Sequence, residues 1–166
     1  ATSGQGGKVF DQLLKSSVHS SNNSITLDPG VGEHALAIWK DAPADFFLSS
    51  DVTLGTGGQL TLYFRSTQEM DDSYILRIDA CNSEVSLHHW TGWNRRSAMN
   101  TRSMVIPETR SFKLHIMLHG DVFEAFLDDR IAISSRFQIP EGSLAISSRD
   151  AMAELNNLKI TYLPEP

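Results

Sequence analysis

From residue 25 onward, short apolar runs recur along the chain at intervals of about ten residues, each closed by turn-forming residues. They cover 34–40, 46–54, 59–66, 74–80, 84–90, 112–119, 122–127, 130–137, 143–148 and 157–163. Between them lie Asp28-Pro29-Gly30, Gly55-Thr56-Gly57-Gly58, Cys81-Asn82-Ser83, Gly120-Asp121, Asp128-Asp129 and Pro140-Glu141-Gly142, together with the polar stretch 68–73. Within the runs apolar and polar residues alternate, which is the period of a half-buried strand. Leu60, Leu62 and Phe64 oppose Thr61, Tyr63 and Arg65; Tyr74, Leu76 and Ile78 oppose Ile75, Arg77 and Asp79. Val85 and Leu87 oppose Ser86, His88 and Trp90; Phe112, Leu114, Ile116 and Leu118 oppose Lys113, His115, Met117 and His119. The first set of each run predicts a core between two sheets, and the second sets predict one exposed face rich in Arg, His and aromatic residues. The expected architecture is all-β: a two-sheet antiparallel sandwich with five to seven strands per sheet.

The N-terminal part differs. Residues 1–7 are small and polar and predict a flexible tail, leaving 8–166 as a single domain. Phe10, Leu13, Leu14 and Val18 fall at helical spacing and predict a short helix over 10–17. A glycosylation sequon, Asn22-Asn23-Ser24, follows in a polar loop. One echo is present: Ala132-Ile133-Ser134-Ser135-Arg136 returns as Ala145-Ile146-Ser147-Ser148-Arg149, 13 residues later. That offset fits two neighbouring strands and lacks the period of a solenoid.

Composition narrows the function classes. A chain of 166 residues can bury a core without disulfides or metals. Its net charge of −6, from 14 basic and 20 acidic residues, opposes nucleic-acid binding, which needs a basic footprint. The single Cys81 excludes an internal disulfide and a Cys-rich zinc site. No apolar run approaches the roughly 18 residues of a membrane span, and no leader is visible.

Four constellations bear on chemistry. Acid pairs at strand spacing are Glu124 with Asp128 and Asp79 with Glu84; a turn Asp beside a surface Glu explains the first equally well. His88 and His89 face opposite sides of a strand, and His115 and His119 stand too far apart to share an ion, so no metal site is expected from them. Glu69, Asp71 and Asp72 could supply oxygen ligands to a structural calcium, or simply form a solvated hairpin turn. No nucleophile elbow and no phosphate-binding loop occurs. The fourth is His89-Trp90-Thr91-Gly92-Trp93-Asn94-Arg95-Arg96. Two Trp rings here suit stacking on the C–H face of a sugar, with Arg and carboxylate groups nearby for its hydroxyls; closure of the core end is the other reading.

The segment 123–137, Phe-Glu-Ala-Phe-Leu-Asp-Asp-Arg-Ile-Ala-Ile-Ser-Ser-Arg-Phe, resembles the C-terminal β-sandwich of glycoside hydrolase family 32. That family carries apolar-Glu-Val-Phe-apolar-Asn-Asp-Gly followed by Thr-Ser-Arg and an aromatic. Glu124, Phe126, Asp129 and Ser135-Arg136-Phe137 match; Asp128 replaces the Asn and Arg130 the Gly. The family's catalytic propeller and its Asp-Pro-Asn-Gly, Arg-Asp-Pro and Glu-Cys motifs are absent, Asp28-Pro29-Gly30 being a turn. A free-standing sandwich of this kind resembles carbohydrate-binding module family 66, a concanavalin-like jelly roll. The resemblance implies a non-catalytic module that binds a polysaccharide, in particular a fructan such as levan at terminal fructose. It further implies a secreted or cell-surface place within or beside a larger glycan-degrading enzyme, with no cofactor. Glu124, Asp128 and Arg136 carry over from the motif as ligand-binding candidates; Arg65, Arg77, His88 and Trp90 join them from alternation alone. Glu124 and Arg136 could instead form a cross-strand ion pair. Two rival functions stand beside this one: a small sandwich hydrolase or lyase, and a laminin-like protein-interaction module holding calcium.

Overall fold

A computed structural model describes residues 2–5, 10, 12–14, 18–30, 32–67, 71–92, 95–104 and 106–162. Among them the chain forms β1 (Thr2–Gln5), β2 (Gln12–Leu14), β3 (Val18–Ser20), β4 (Ile25–Leu27), β5 (His34–Trp39), β6 (Phe46–Leu54), β7 (Gln59–Ser66) and β8 (Asp72–Asp79). It continues with β9 (Glu84–Thr91), β10 (Arg95–Ser103), β11 (Ser111–His119), β12 (Val122–Leu127), β13 (Arg130–Arg136), β14 (Ser143–Arg149) and β15 (Ala153–Tyr162). Two antiparallel sheets result. One runs β13-β12-β11-β6-β15-β4-β3 with β1 beside β15, eight strands in all; the other has seven, β10-β9-β8-β7-β14-β5-β2.

The core lies between them and is made by the alternation. Leu60, Leu62, Phe64, Tyr74, Leu76, Ile78, Val85 and Leu87 from the seven-stranded sheet meet Leu48, Val52, Phe112, Leu114, Ile116, Leu118 and Phe123 from the other. All are buried. Removing this apolar surface from water is the main drive for the two sheets to stack. At one end of the sandwich the core is aromatic. Tyr74 stacks on Phe137 with ring centroids 3.8 Å apart, Phe123 stacks on Phe137 at 4.7 Å, and Phe64 meets Phe123 at 5.0 Å.

Several expectations change. The helix over 10–17 is absent from the described residues. Gln12–Leu14 instead pairs antiparallel with Leu36–Ile38 of β5, and Val18–Ser20 begins a hairpin with β4. Phe10 and Val18 are both buried in the core; pairing to a free sheet edge satisfies the backbone where helical spacing suggested an internal ladder. Thr2–Gln5, inside the segment expected as a tail, lie against Lys159–Tyr162 of β15. The sheet with β1 exceeds the expected size by one strand. Strand β10 was not expected, because its polar sequence shows no alternation; it is a sheet edge held by its ladder to β9. The echoing segments lie in β13 and β14, which belong to different sheets and are not neighbours. The chain crosses from one sheet to the other between them.

Candidate functional site

The seven candidate ligand residues divide between the two sheets. Arg65, Arg77, His88 and Trp90 belong to β7, β8 and β9 of the seven-stranded sheet. Glu124 and Arg136 belong to β12 and β13 of the other, with Asp128 in the turn between them. The core separates Arg77, His88 and Trp90 from Glu124, Asp128 and Arg136, so the seven do not form one site, and Arg65 turns to the sandwich end beside Gly120. Alternation assigns a residue to a side of its own strand, and the outward sides of two stacked sheets point in opposite directions.

On the seven-stranded sheet the ladder sets outward residues in rows. Thr61, Arg77 and Ser86 are register partners across β7, β8 and β9. Tyr63, Ile75 and His88 form the next row, and Ser73 pairs with Trp90 beyond it. Thr61, Ile75 and Ser86 are buried, so this face is less open than alternation implied. Arg77 is half-buried, and its Nε is shielded from solvent without a hydrogen-bond partner among the described residues. His88 Nε2 lies 3.0 Å from Ser86 Oγ. The indole N–H of Trp90 donates to the Gly92 carbonyl, which engages the polar edge of the ring. Gly92 N–H in turn donates to the Asp71 carbonyl at 2.7 Å, fixing the turn that follows the Trp at the end of β9. The face therefore holds a guanidinium, an imidazole and an indole in successive rows, with small hydroxyl residues between them. Planar donors and a π-face in this order suit a polyhydroxylated ring. Trp93 lies outside the described residues, as do the side chains of Arg95 and Arg96.

Arg65 is not on that face. Its φ of 49° places it in the left-handed region, at a bulge where the β14–β7 register shifts between Ser143 and Ala145. A bulge re-aims its side chain, and the guanidinium turns to the sandwich end. There it is 4% exposed. It donates to the carbonyls of Ile139 at 2.8 Å, Ala44 at 3.2 Å and Gly120, and it lies 3.7 Å from Asp45 and over the Phe137 ring. Burial pulls its pKa below the ordinary value, and the Asp45 carboxylate opposes that pull. Arg65 ties three loops together, which makes it structural. Beside it, the Tyr74 hydroxyl accepts hydrogen bonds from the N–H groups of Gln138 at 2.6 Å and Ile139 at 3.1 Å. These two side chains anchor the crossing from β13 to β14.

On the eight-stranded sheet, Arg136 pairs with Asp121 at 2.8 Å, not with Glu124. Both partners are exposed, so the pair contributes little. Asp128 and Asp129 have φ of 50° and 62° and form the two-residue loop of the β12–β13 hairpin, whose flanking pair is Leu127 and Arg130. Asp128 also accepts the Lys113 N–H at 2.9 Å. The motif that carries the family resemblance is thus a hairpin, with Asp128 and Asp129 at the two positive-φ positions that the turn demands.

Of the acid pair Asp79 and Glu84, the first is fully engaged. Asp79 accepts from the Gln59 amide, the Cys81 and Asn82 backbones and the Asn82 amide. Burial disfavours its charge, but these bonds outweigh that and hold its pKa below the usual value, opposite to the raised pKa of a general acid. Of the proposed calcium ligands, Asp71 accepts from Thr67, Asp72 lies 3.0 Å from His89 Nε2, and Glu69 is outside the described residues. No group of three or more His, Cys, Asp or Glu suited to a metal occurs among the described residues.

Comparison with known proteins bears on this geometry. No family model matches the chain. Over 119 residues, 69% of this chain, the sequence is 27% identical to the levanase of Bacillus subtilis strain 168, and the match spans 17% of that protein. The fold superposes on carbohydrate-binding module family 66 from Bacillus subtilis with a TM-score of 0.74 at 21% identity, covering 90% of this chain and 94% of that one. The resemblance to that module family holds. A β-glucanase from Bacillus licheniformis shares the sandwich at a TM-score of 0.63 and 10% identity, covering 98% of each chain. A binding module and an enzyme thus share this architecture, and the side chains must decide between them.

Proposed function

We propose that this chain is a non-catalytic carbohydrate-binding module that recognises a fructan such as levan at its terminal fructose. The observation that carries the reading is the outer face of the seven-stranded sheet, where Arg77, His88 and Trp90 stand in successive rows. A guanidinium grips hydroxyls through several fixed donors, and an indole whose N–H is already engaged offers only its ring face. The likeness to a family 66 module and to a stretch of a levanase supports the choice of fructan. The matched stretch is 17% of that levanase, which supports a place within or beside a larger, secreted glycan-degrading enzyme. Asp79, the buried carboxylate of one acid pair, is consumed by four hydrogen bonds, which argues against a hydrolytic role.

Binding to one sugar unit should be weak, with Kd of roughly micromolar to millimolar, or about −8 to −4 kcal/mol. Native affinity electrophoresis against levan, inulin, xylan, β-glucan and starch tests the reading. Retardation by the fructans alone, reduced in Trp90→Ala and Arg77→Ala, is the expected result. Retardation by another glycan would discard fructose and keep the binding class. Release of reducing sugar would replace the module with an enzyme.

A further inference from the structure

Where the outer face of the seven-stranded sheet meets the end of the sandwich, the chain forms a cleft that alternation did not reveal. It measures about 320 Å³ and is lined by Lys40, Asp41, Ser66, Thr67, Glu141 and Ser143, with Gly142 in its wall. Its place follows from the register. Ala145 pairs with Ile38, so Ser143 and Lys40 continue the outward positions of β14 and β5 past the last row of the sheet. Ser143 also pairs with Ser66 of β7, and its hydroxyl donates to the Ser66 carbonyl at 3.2 Å. The Thr67 N–H donates to the Asp72 carbonyl, so the cleft opens at the end of the sheet where Ser73 pairs with Trp90.

We infer that this cleft binds one neutral sugar unit through Lys40, Asp41 and Glu141, an inference that rests on the carbohydrate-binding reading. Three observations support it. First, Lys40, Asp41 and Glu141 make no ion pair or side-chain hydrogen bond among the described residues, although most carboxylates elsewhere on this end of the molecule are engaged. Unpaired charges around a concavity are free to bond a ligand. Second, Ser66 is 2% exposed, and its Oγ is buried without a partner in the cleft wall. A buried hydroxyl without a partner is destabilising, and a ligand hydroxyl reaching the wall would satisfy it. Third, the wall is backbone. A Cβ on Gly142 would lie 2.3 Å from the carbonyl carbon of Arg65, so no side chain fits at this position without moving β7. Glycine allows that close approach and keeps the recess open.

Charge and size select the ligand. Two carboxylates accept hydrogen bonds from paired hydroxyls and the ammonium donates to a third oxygen, which fits a polyol. The excess of carboxylate over ammonium repels uronates and sulfated sugars. The volume sits at the lower end of the range for small-molecule sites and suits a single ring over a run of chain.

The test is affinity electrophoresis and isothermal titration with levan, using the whole chain and the variants Glu141→Gln, Asp41→Asn and Lys40→Met. Each replaces an exposed side chain, and thermal melting confirms that the variants fold. The expected result is binding weakened about tenfold or more in each, from the loss of a charge-assisted hydrogen bond, with no retardation of the parent chain by polygalacturonate. Levan binding that is unchanged within twofold in all three folded variants would overturn the cleft assignment while leaving the module reading in place. Binding to polygalacturonate would overturn the neutral-sugar assignment. Failure of the parent chain to bind any neutral glycan would overturn both the inference and the reading beneath it.

Discussion

Replacing Tyr74 by Phe removes a single oxygen from a side chain that is 1% exposed. The ring would remain stacked between Phe137 at 3.8 Å and His89 at 4.5 Å, so packing is conserved. What is lost is the acceptor for two backbone N–H groups, Gln138 at 2.6 Å and Ile139 at 3.1 Å. A hydrogen bond contributes about 0.5–1.5 kcal/mol net, and a buried donor left without a partner costs about 1–3 kcal/mol. For two partly buried donors the expected loss is about 2–3 kcal/mol. In urea, with a slope near 2 kcal/mol/M, the midpoint should fall by roughly 1–1.5 M with the slope unchanged. A loss below about 0.5 kcal/mol would refute the view that this hydroxyl anchors the crossing. Arg65 holds the same segment through the Ile139 carbonyl. A double-mutant cycle of Tyr74→Phe with Arg65→Met should therefore show a coupling above about 0.5 kcal/mol; strict additivity would mean the two act independently.

Four further outcomes follow from the same structure. Arg65→Lys should destabilise by about 2–4 kcal/mol, because an ammonium cannot span three carbonyls as a guanidinium does; an unchanged urea midpoint would contradict this. The Asp79 pKa is depressed in the folded state, so its contribution is present above the unfolded value near 3.9 and is lost as pH falls through the lower folded value. The stability gap between the parent chain and Asp79→Asn should accordingly be full at pH 7 and shrink below about pH 4; a gap independent of pH would remove the linkage. Asp129→Gly should stabilise by about 0.5–1 kcal/mol, or roughly 1–3 °C in melting temperature, by relieving a positive φ, whereas Asp128→Gly should destabilise by losing the bond to Lys113 N–H. Arg136→Ala, on the sheet opposite the proposed site, should leave levan retardation within twofold; a large loss would move the site to the eight-stranded sheet.

How much of the candidate site is legible in the sequence depends on the residue. Alternation places Arg77, His88 and Trp90 on one face because β8 and β9 continue it without interruption. Arg65 escapes it because the β7 bulge and its positive φ break the period one residue before the end of the strand. Asp128 and Arg136 carry the family resemblance, yet one shapes a turn and the other pairs with Asp121, in the turn before β12. The demands of a hairpin account for these residues as readily as those of a ligand. Lys40, Asp41 and Glu141 gave no signal at all, since isolated charges in loops look alike until the fold brings their loops together.

The sequence by itself determined the class of fold, most strand positions and the inward side of the strands that alternate. These are local consequences of a two-residue period and of turn chemistry, and burial of the apolar set enforces them. It did not determine which sheet a strand joins. The outward residues of β8 and of β11 read alike in sequence, but face opposite sides of the molecule. Nor did it foresee that residues near 12–14 would add an edge strand, or that the echoing pair β13 and β14 would part at a crossing held by Tyr74 and Arg65. Strand partnership is settled by contacts between residues far apart in the chain, where the gain comes from burying two faces against each other. Only the tertiary structure makes that choice, and with it the choice of which polar residues share a surface.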